Sequence, residues 1–338
     1  MLPQILSPVR EIQKLVRNSK TVQQRSPRLP PEVLLVIIQY LPLNDKATLN
    51  SVLLTCWTLH NITEELLFHS ITIPDKASKS QTLFERLAIR PDLAAHVHKL
   101  EWPKKGALPT GRPLFLRLRG RHTRDQYSAS IPMAISGLQS MRNVRALTIG
   151  KLPSPSILDS MDLLVPAIGQ LNLTKLYITS IRWSFSKEVI PVLRSQPELT
   201  SLRLPWQDRW EIDGGILIPT DIPRLTSLHC GASAAARIVP GRPINKLLLR
   251  ISPRTMWSEV AVWDNLELST QHICHLKLHI IEPKNVNLSW ILEKAATHLK
   301  YLNDLQLSPM LDDTFADQME YDSAKVRLQA VYLLSSSS

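Results

Sequence analysis

The chain has only three cysteines in 338 residues, at Cys56, Cys230 and Cys274. They are far apart and odd in number, which excludes a disulfide framework and fits a reducing compartment. Glycine is scarce, at 10 residues, and aromatics make up 6%. That composition suits helices and leucine-rich packing better than an all-β sandwich. No apolar run approaches the ~18 residues that a membrane span needs. The opening MLPQILSPVR lacks the long apolar core of a secretory signal. The expected location is therefore cytoplasmic and/or nuclear, without a membrane partner.

Catalytic signatures are also missing. There is no phosphate-cradling Gly-x-x-x-x-Gly-Lys-Ser/Thr loop, no dinucleotide-binding glycine triplet, no Gly-x-Ser-x-Gly elbow and no His-Glu-x-x-His. The expectation is a protein that is not an enzyme and carries no cofactor. His272, Cys274, His275 and His279 offer good zinc-ligand chemistry. However, Ile273, Leu276 and Leu278 mark a strand here, with His275 and His279 on its outward side, so no metal site is expected.

The charge is one-sided. The net formal charge is +11, which bears on partners and solubility rather than on fold. Residues 1–28 hold six Lys/Arg against one acid, Glu11, and residues 1–26 read as a flexible basic tail. A second basic stretch, residues 103–130, carries seven Lys/Arg between Lys104 and Arg124 with no acid before Asp125. It reads as an inserted surface loop. Arg117, Arg119, Arg121 and Arg124 could grip phosphate or acidic side chains, or could simply be solvated. No aromatic stacking pattern accompanies them, which argues against single-stranded nucleic acid.

The most apolar and most patterned stretch is residues 29–73. It opens Leu29-Pro30-Pro31-Glu32, and a proline in the first turn suits a helix start because its missing N–H needed no partner there. Leu34, Ile37, Ile38 and Leu41 fall at helical spacing and predict one apolar face. Pro42 ends that helix. Asn44 or Asp45 can cap a second helix carrying Leu49, Val52 and Leu53. A third helix, about residues 56–67, has Leu59, Ile62, Leu66 and Leu67 on one side. Three short helices cannot bury much surface alone, so the segment calls for a partner or the rest of its chain.

Leu29-Pro30, Glu32-Val33, Tyr40-Leu41, Asp45, Leu54 and Cys56 follow in order the pattern of the F-box, and the segment resembles that family. Its closing Leu-Leu-Phe-His-Ser-Ile is similar to fungal F-box proteins. Three positions depart from the pattern. Trp57 directly follows Cys56, Leu59 stands at the usual tryptophan position, and Lys46 sits where many members have leucine. The resemblance implies docking to the Skp adaptor of a cullin–RING ubiquitin ligase, through Leu29, Pro30, Val33, Ile37, Leu41, Leu54 and Leu59.

Past a break at residues 74–78 and a helix interrupted by Pro91, a new pattern recurs: apolar-x-x-Leu-x-apolar. It begins with Val97-His-Lys-Leu100-Glu-Trp102 and ends with Leu302-Asn-Asp-Leu305-Gln-Leu307. From Leu147 the central leucines are spaced 29, 26, 26, 19, 29 and 29 residues apart. Such spacing is the signature of leucine-rich repeats, whose short strands must stack on neighbours to close a core. Residues 154–171, 186–195 and 289–299 carry helical spacing between repeats. The pieces after Leu204, Cys230 and Leu249 read as loops or single turns, and 326–334 as a final strand.

If the leucines point inward, the residues between them point outward. Those from the third repeat on include Lys175, Tyr177, Arg203, His229 and Lys277, with Asp304 as the stripe's acid. These five are candidates for holding an acidic or phosphorylated protein segment. The expected fold class is α/β: a small all-α F-box of three helices (residues 27–74), then an irregular leucine-rich-repeat-like solenoid of short parallel strands with helices or loops (75–334), then a disordered tail (335–338). The expected function is a substrate receptor of an SCF-type ligase. The alternative is a leucine-rich-repeat scaffold that binds protein without a ligase role.

Overall fold

The computed structural model describes residues 29–41, 45–74, 77–102, 130–150, 161–179, 189–205, 217–251, 260–281 and 287–310. The basic tail, residues 103–129 of the basic insertion, the expected strand at 326–334 and the serine tail lie outside the described residues. The chain divides into two compact units, residues 1–64 and 65–338. The sequence break at residues 74–78 lies beyond that division.

The first unit is helical. Helix α1 spans Pro31–Gln39, with proline in its first turn. Helix α2 spans Lys46–Leu53, and Asp45 is its cap. The Asp45 carboxylate accepts the Thr48 N–H at 3.1 Å and the Thr48 hydroxyl at 2.6 Å. Those bonds hold its carboxyl below the usual range. Helix α3, Trp57–His69, starts in this unit. Ile38 and Leu49 are buried.

The second unit is built on a nine-stranded sheet whose spatial order is the chain order, every pair parallel. The strands are β1 (Ser70–Thr72), β2 (Lys99–Glu101), β3 (Ala146–Ile149), β4 (Lys175–Ile178), β5 (Ser201–Arg203), β6 (Ser227–Gly231), β7 (Lys246–Ile251), β8 (His275–Ile281) and β9 (Asp304–Met310). Strands β2 to β9 fall on the eight sequence repeats. Strand β1, which closes the stretch read as helical, is the addition.

The register explains why the repeats are spelled as they are. Ile71, Leu100, Leu147, Leu176, Leu202, Leu228, Leu247, Leu276 and Leu305 stand opposite one another across the whole sheet. All nine are buried. Each fully buried leucine contributes roughly 1.5–3 kcal/mol relative to an exposed one. Thr174, Thr200 and Thr226 add a polar column at the strand entries. Each donates its hydroxyl to the carbonyl one repeat back, at 3.1, 3.0 and 3.2 Å.

Parallel neighbours need a crossover, and helices supply most of them. These are α4 (Ala77–Ile89) and α5 (Pro91–Ala95) after β1, α6 (Ser130–Ser140) after β2, α7 (Met161–Gly169) after β3 and α8 (Ile190–Arg194) after β4. Then come α9 (Ala232–Ile238) after β6, α10 (Val260–Glu267) after β7 and α11 (Leu288–His298) after β8. The helices α9 and α10 correct the expectation of loops after Cys230 and Leu249. The β6–β7 crossover is the shortest, and α9 fits it with small side chains: Ala232, Ala234 and Ala235 are buried. In α10, Val262, Trp263 and Leu266 are buried. Alanine is the best helix former, and a composition rich in small residues conceals that signal.

Between β5 and β6 the described residues hold only a short 3₁₀ turn, Pro219–Asp221. Arg242 ties it down. This side chain is fully buried and donates to the carbonyls of Ile218, Ile238 and Pro240. Burial pulls its guanidinium down to about 10, opposed by Asp221. The preceding Gly241 has φ +72°, and a Cβ there would lie 2.7 Å from Pro219 Cγ.

A second clamp is Gln196, 1% exposed. Its Oε1 accepts the Leu173 N–H at 2.8 Å, and its Nε2 donates to the Ile168 and Gly169 carbonyls at 3.3 Å. Replacing Gln196 by leucine keeps the volume but leaves the buried Leu173 N–H without its acceptor. The stability of Gln196→Leu should fall by about 2 kcal/mol, read as a lower urea midpoint. Gly241→Ala should lose at least ~1 kcal/mol in the same assay, because it combines a left-handed backbone with a clash.

Candidate functional site

Each unit carries a surface whose composition departs from that of an ordinary exterior. In the first unit it is apolar. Helix α1 is hydrophobic on nearly every side, so it cannot hide all of its side chains. Ile38 is 2% exposed while Ile37, its neighbour in sequence, is 51% exposed. Leu29, Val33 and Ile37 recur every fourth residue, and all three are exposed. This corrects the single apolar face that grouped Ile37 with Leu34, Ile38 and Leu41. Ile38 faces inward, Leu34 and Leu41 are half-buried, and Ile37 belongs to the outward stripe.

The corner between α2 and α3 continues the exposure. Leu54 and Trp57 are 82% and 75% exposed, and Pro30 is exposed too. Leu59 is half-buried. Of the seven residues expected at the docking surface, five are thus open to solvent and two, Leu41 and Leu59, are partly covered. The exposed residues Val36, Tyr40 and Trp57 were absent from that set. The signal that could have found them was the excess of apolar residues over what a helix pair can cover.

In the second unit the surface is the sheet face opposite the leucines. One row reads Lys99, Ala146, Lys175, Ser201, Ser227, Lys246, His275, Asp304, and the next reads Glu101, Thr148, Tyr177, Arg203, His229, Leu248, Lys277, Gln306. Strand β2 adds Glu101 to a stripe whose acid was expected to be Asp304. Both acids have partners on the same face: Glu101 pairs with Lys99 at 2.7 Å, and Asp304 sits 3.7 Å from His275 Nδ1 and accepts Gln306 Nε2 at 2.9 Å.

A depression of about 380 Å³ lies in this face over β4 to β9. Tyr177, Arg203, His229 and Lys277 all line it, with Lys246 and His275. Four of the five residues expected to hold a partner are therefore brought together. The fifth, Lys175, is exposed on β4 in the adjoining row. The register does this work: residues 177, 203, 229 and 277 come from four different repeats and share one row.

Positive charge from β5, β7 and β8 gathers around His279. His279 is pushed down to about 4, first by burial and then by Lys277, Arg203 and Arg250. Its ring lies 6.3 Å from that of His229. His272 leaves the strand and stacks on Tyr301 at 3.6 Å. Among the described residues no group of three or more His, Cys, Asp and Glu could hold a metal ion. Among them, too, no helix is long and apolar enough to cross a membrane.

The His279 environment has a pH consequence. A histidine depressed below its unfolded value of 6.5 stabilises the fold above that value and loses the contribution as pH falls toward about 4. After solvent screening the effect should be on the order of 1–2 kcal/mol. Thermal melts should show the intact chain losing more stability than His279→Gln between pH 6.5 and 4.

Compared with known families, residues 26–74 match the F-box-like family model. No curated protein matches the chain. The matched segment holds α1, α2, α3 and β1, including every exposed apolar side chain named above. Residues 26–74 are an F-box-like domain.

Proposed function

We propose that this chain is the substrate-receptor subunit of an SCF-type cullin–RING ubiquitin ligase. One observation carries the reading: the F-box-like segment leaves Leu29, Val33, Ile37 and Leu54 exposed, as a helix surface that docks into an apolar groove must. The groove belongs to the Skp adaptor. The array in the second unit is a leucine-rich-repeat-like solenoid. Support for that comes from nine strictly sequential parallel strands with one leucine or isoleucine per strand in register.

The sheet face holds the protein substrate. Lys175, Tyr177, Arg203, His229 and Lys277 form a basic-to-neutral surface suited to an acidic or phosphorylated segment. The receptor is not itself an enzyme. It raises the effective concentration of a substrate lysine near the loaded ubiquitin carrier, and other subunits perform the transfer. It works in the cytoplasm or the nucleus.

A second reading is favoured by Leu59 at the position where the family has its aromatic: a protein-binding scaffold without a ligase role. Adaptor binding separates the two. The intact chain should capture a purified Skp adaptor, and the triple variant Leu29→Ala, Val33→Ala, Ile37→Ala should lose at least tenfold in affinity. Absence of capture by the intact chain would select the scaffold. Reversing Arg203 and Lys277 to glutamate should leave adaptor capture unchanged and lower retention of an acidic phosphopeptide mixture at least tenfold. Equal retention would remove the sheet face from the proposal.

A further inference from the structure

The corner between α2 and α3 carries a large aromatic that the docking residues named so far omit. We infer that Trp57 is the aromatic anchor of the adaptor interface, in place of the residue at position 59. This rests on the reading of residues 26–74 as an adaptor-docking segment.

Trp57 is 75% exposed. A free tryptophan at a surface would ordinarily be mobile, and ordering it on binding would cost entropy. Here it is held. Its ring stacks on that of His60, with centroids 5.6 Å apart and planes within 3° of parallel. His60 is fixed in turn: its Nδ1 lies 3.3 Å from the Leu53 carbonyl at the end of α2, which it reaches as the Nδ1–H tautomer. The indole is therefore presented as a preoriented plate beside exposed Leu54 and Cys56. Position 59 offers much less, a half-buried aliphatic side chain. Tryptophan combines large apolar area with few rotatable bonds, the property that makes it a frequent energetic centre of interfaces.

The occupant is the Skp adaptor rather than a second copy of this chain. Trp57 lies inside the matched segment, between the docking candidates Leu54 and Leu59. His60 is a positioning residue, acting through the indole.

The test measures affinity of the full chain for a purified Skp adaptor by calorimetry, with far-ultraviolet circular dichroism to check the helices. Trp57→Ala should weaken binding about 30-fold, the loss typical of an interface hot spot. Trp57→Phe should recover most of it, and His60→Ala should give a smaller loss. Trp57→Ala within threefold of the intact chain, while the Leu29, Val33, Ile37 triple variant loses binding, would overturn the anchor and leave the docking reading in place. Binding by the triple variant as strong as by the intact chain would overturn the docking reading and the anchor with it. Light scattering at the same concentrations reads self-association. A dimer dissolved by Trp57→Ala would assign the indole to a second copy and overturn the proposal.

Discussion

The parallel ladder from Ile71 to Leu305 is the constraint on which the second unit depends. A single three- or four-residue strand has no partner for its backbone groups and no partner for its leucine. Both are satisfied only by the strand before and the strand after, so the array is stable as a stack and not as separate repeats. Register then has little freedom. Slipping a strand by one residue would turn its leucine outward and carry a lysine, serine or histidine into the core.

The same register makes the candidate surface. Because inward positions are filled by leucine, the alternate positions are free to vary, and their side chains stack into rows across repeats. Tyr177, Arg203, His229 and Lys277 are separated by 26, 26 and 48 residues in the chain and yet line one depression. Arg242 and Gln196 support this arrangement from the crossovers, Arg242 by adding a donor to the Ile218 carbonyl and Gln196 by accepting the Leu173 N–H. The buried cation and the buried amide thus belong to the scaffold, whereas the cations around His279 belong to the face.

In the first unit the governing fact is an excess of apolar side chains. Helix α1 and the residues flanking it have a partly covered row through Leu34, Ile38 and Leu41 and an open row through Leu29, Val33 and Ile37. Three short helices have too little interior to absorb both. The surplus stays at the surface, and Trp57, stacked on His60, adds an aromatic ring to it.

The sequence by itself determined the repeats, their central leucines, the outward alternation, the Asp45 cap and the proline start of α1, because each of these depends on near neighbours in the chain. It also carried the F-box-like pattern, whose residues are contiguous. The tertiary structure alone decided which row of α1 is covered, that Ser70–Thr72 joins the sheet as β1, and that the stretches after Cys230 and Leu249 are helices. Only there, too, does the environment of His279 become visible. Periodicity states which residues share a face; burial and charge depend on what folds against that face, and those partners come from distant parts of the chain.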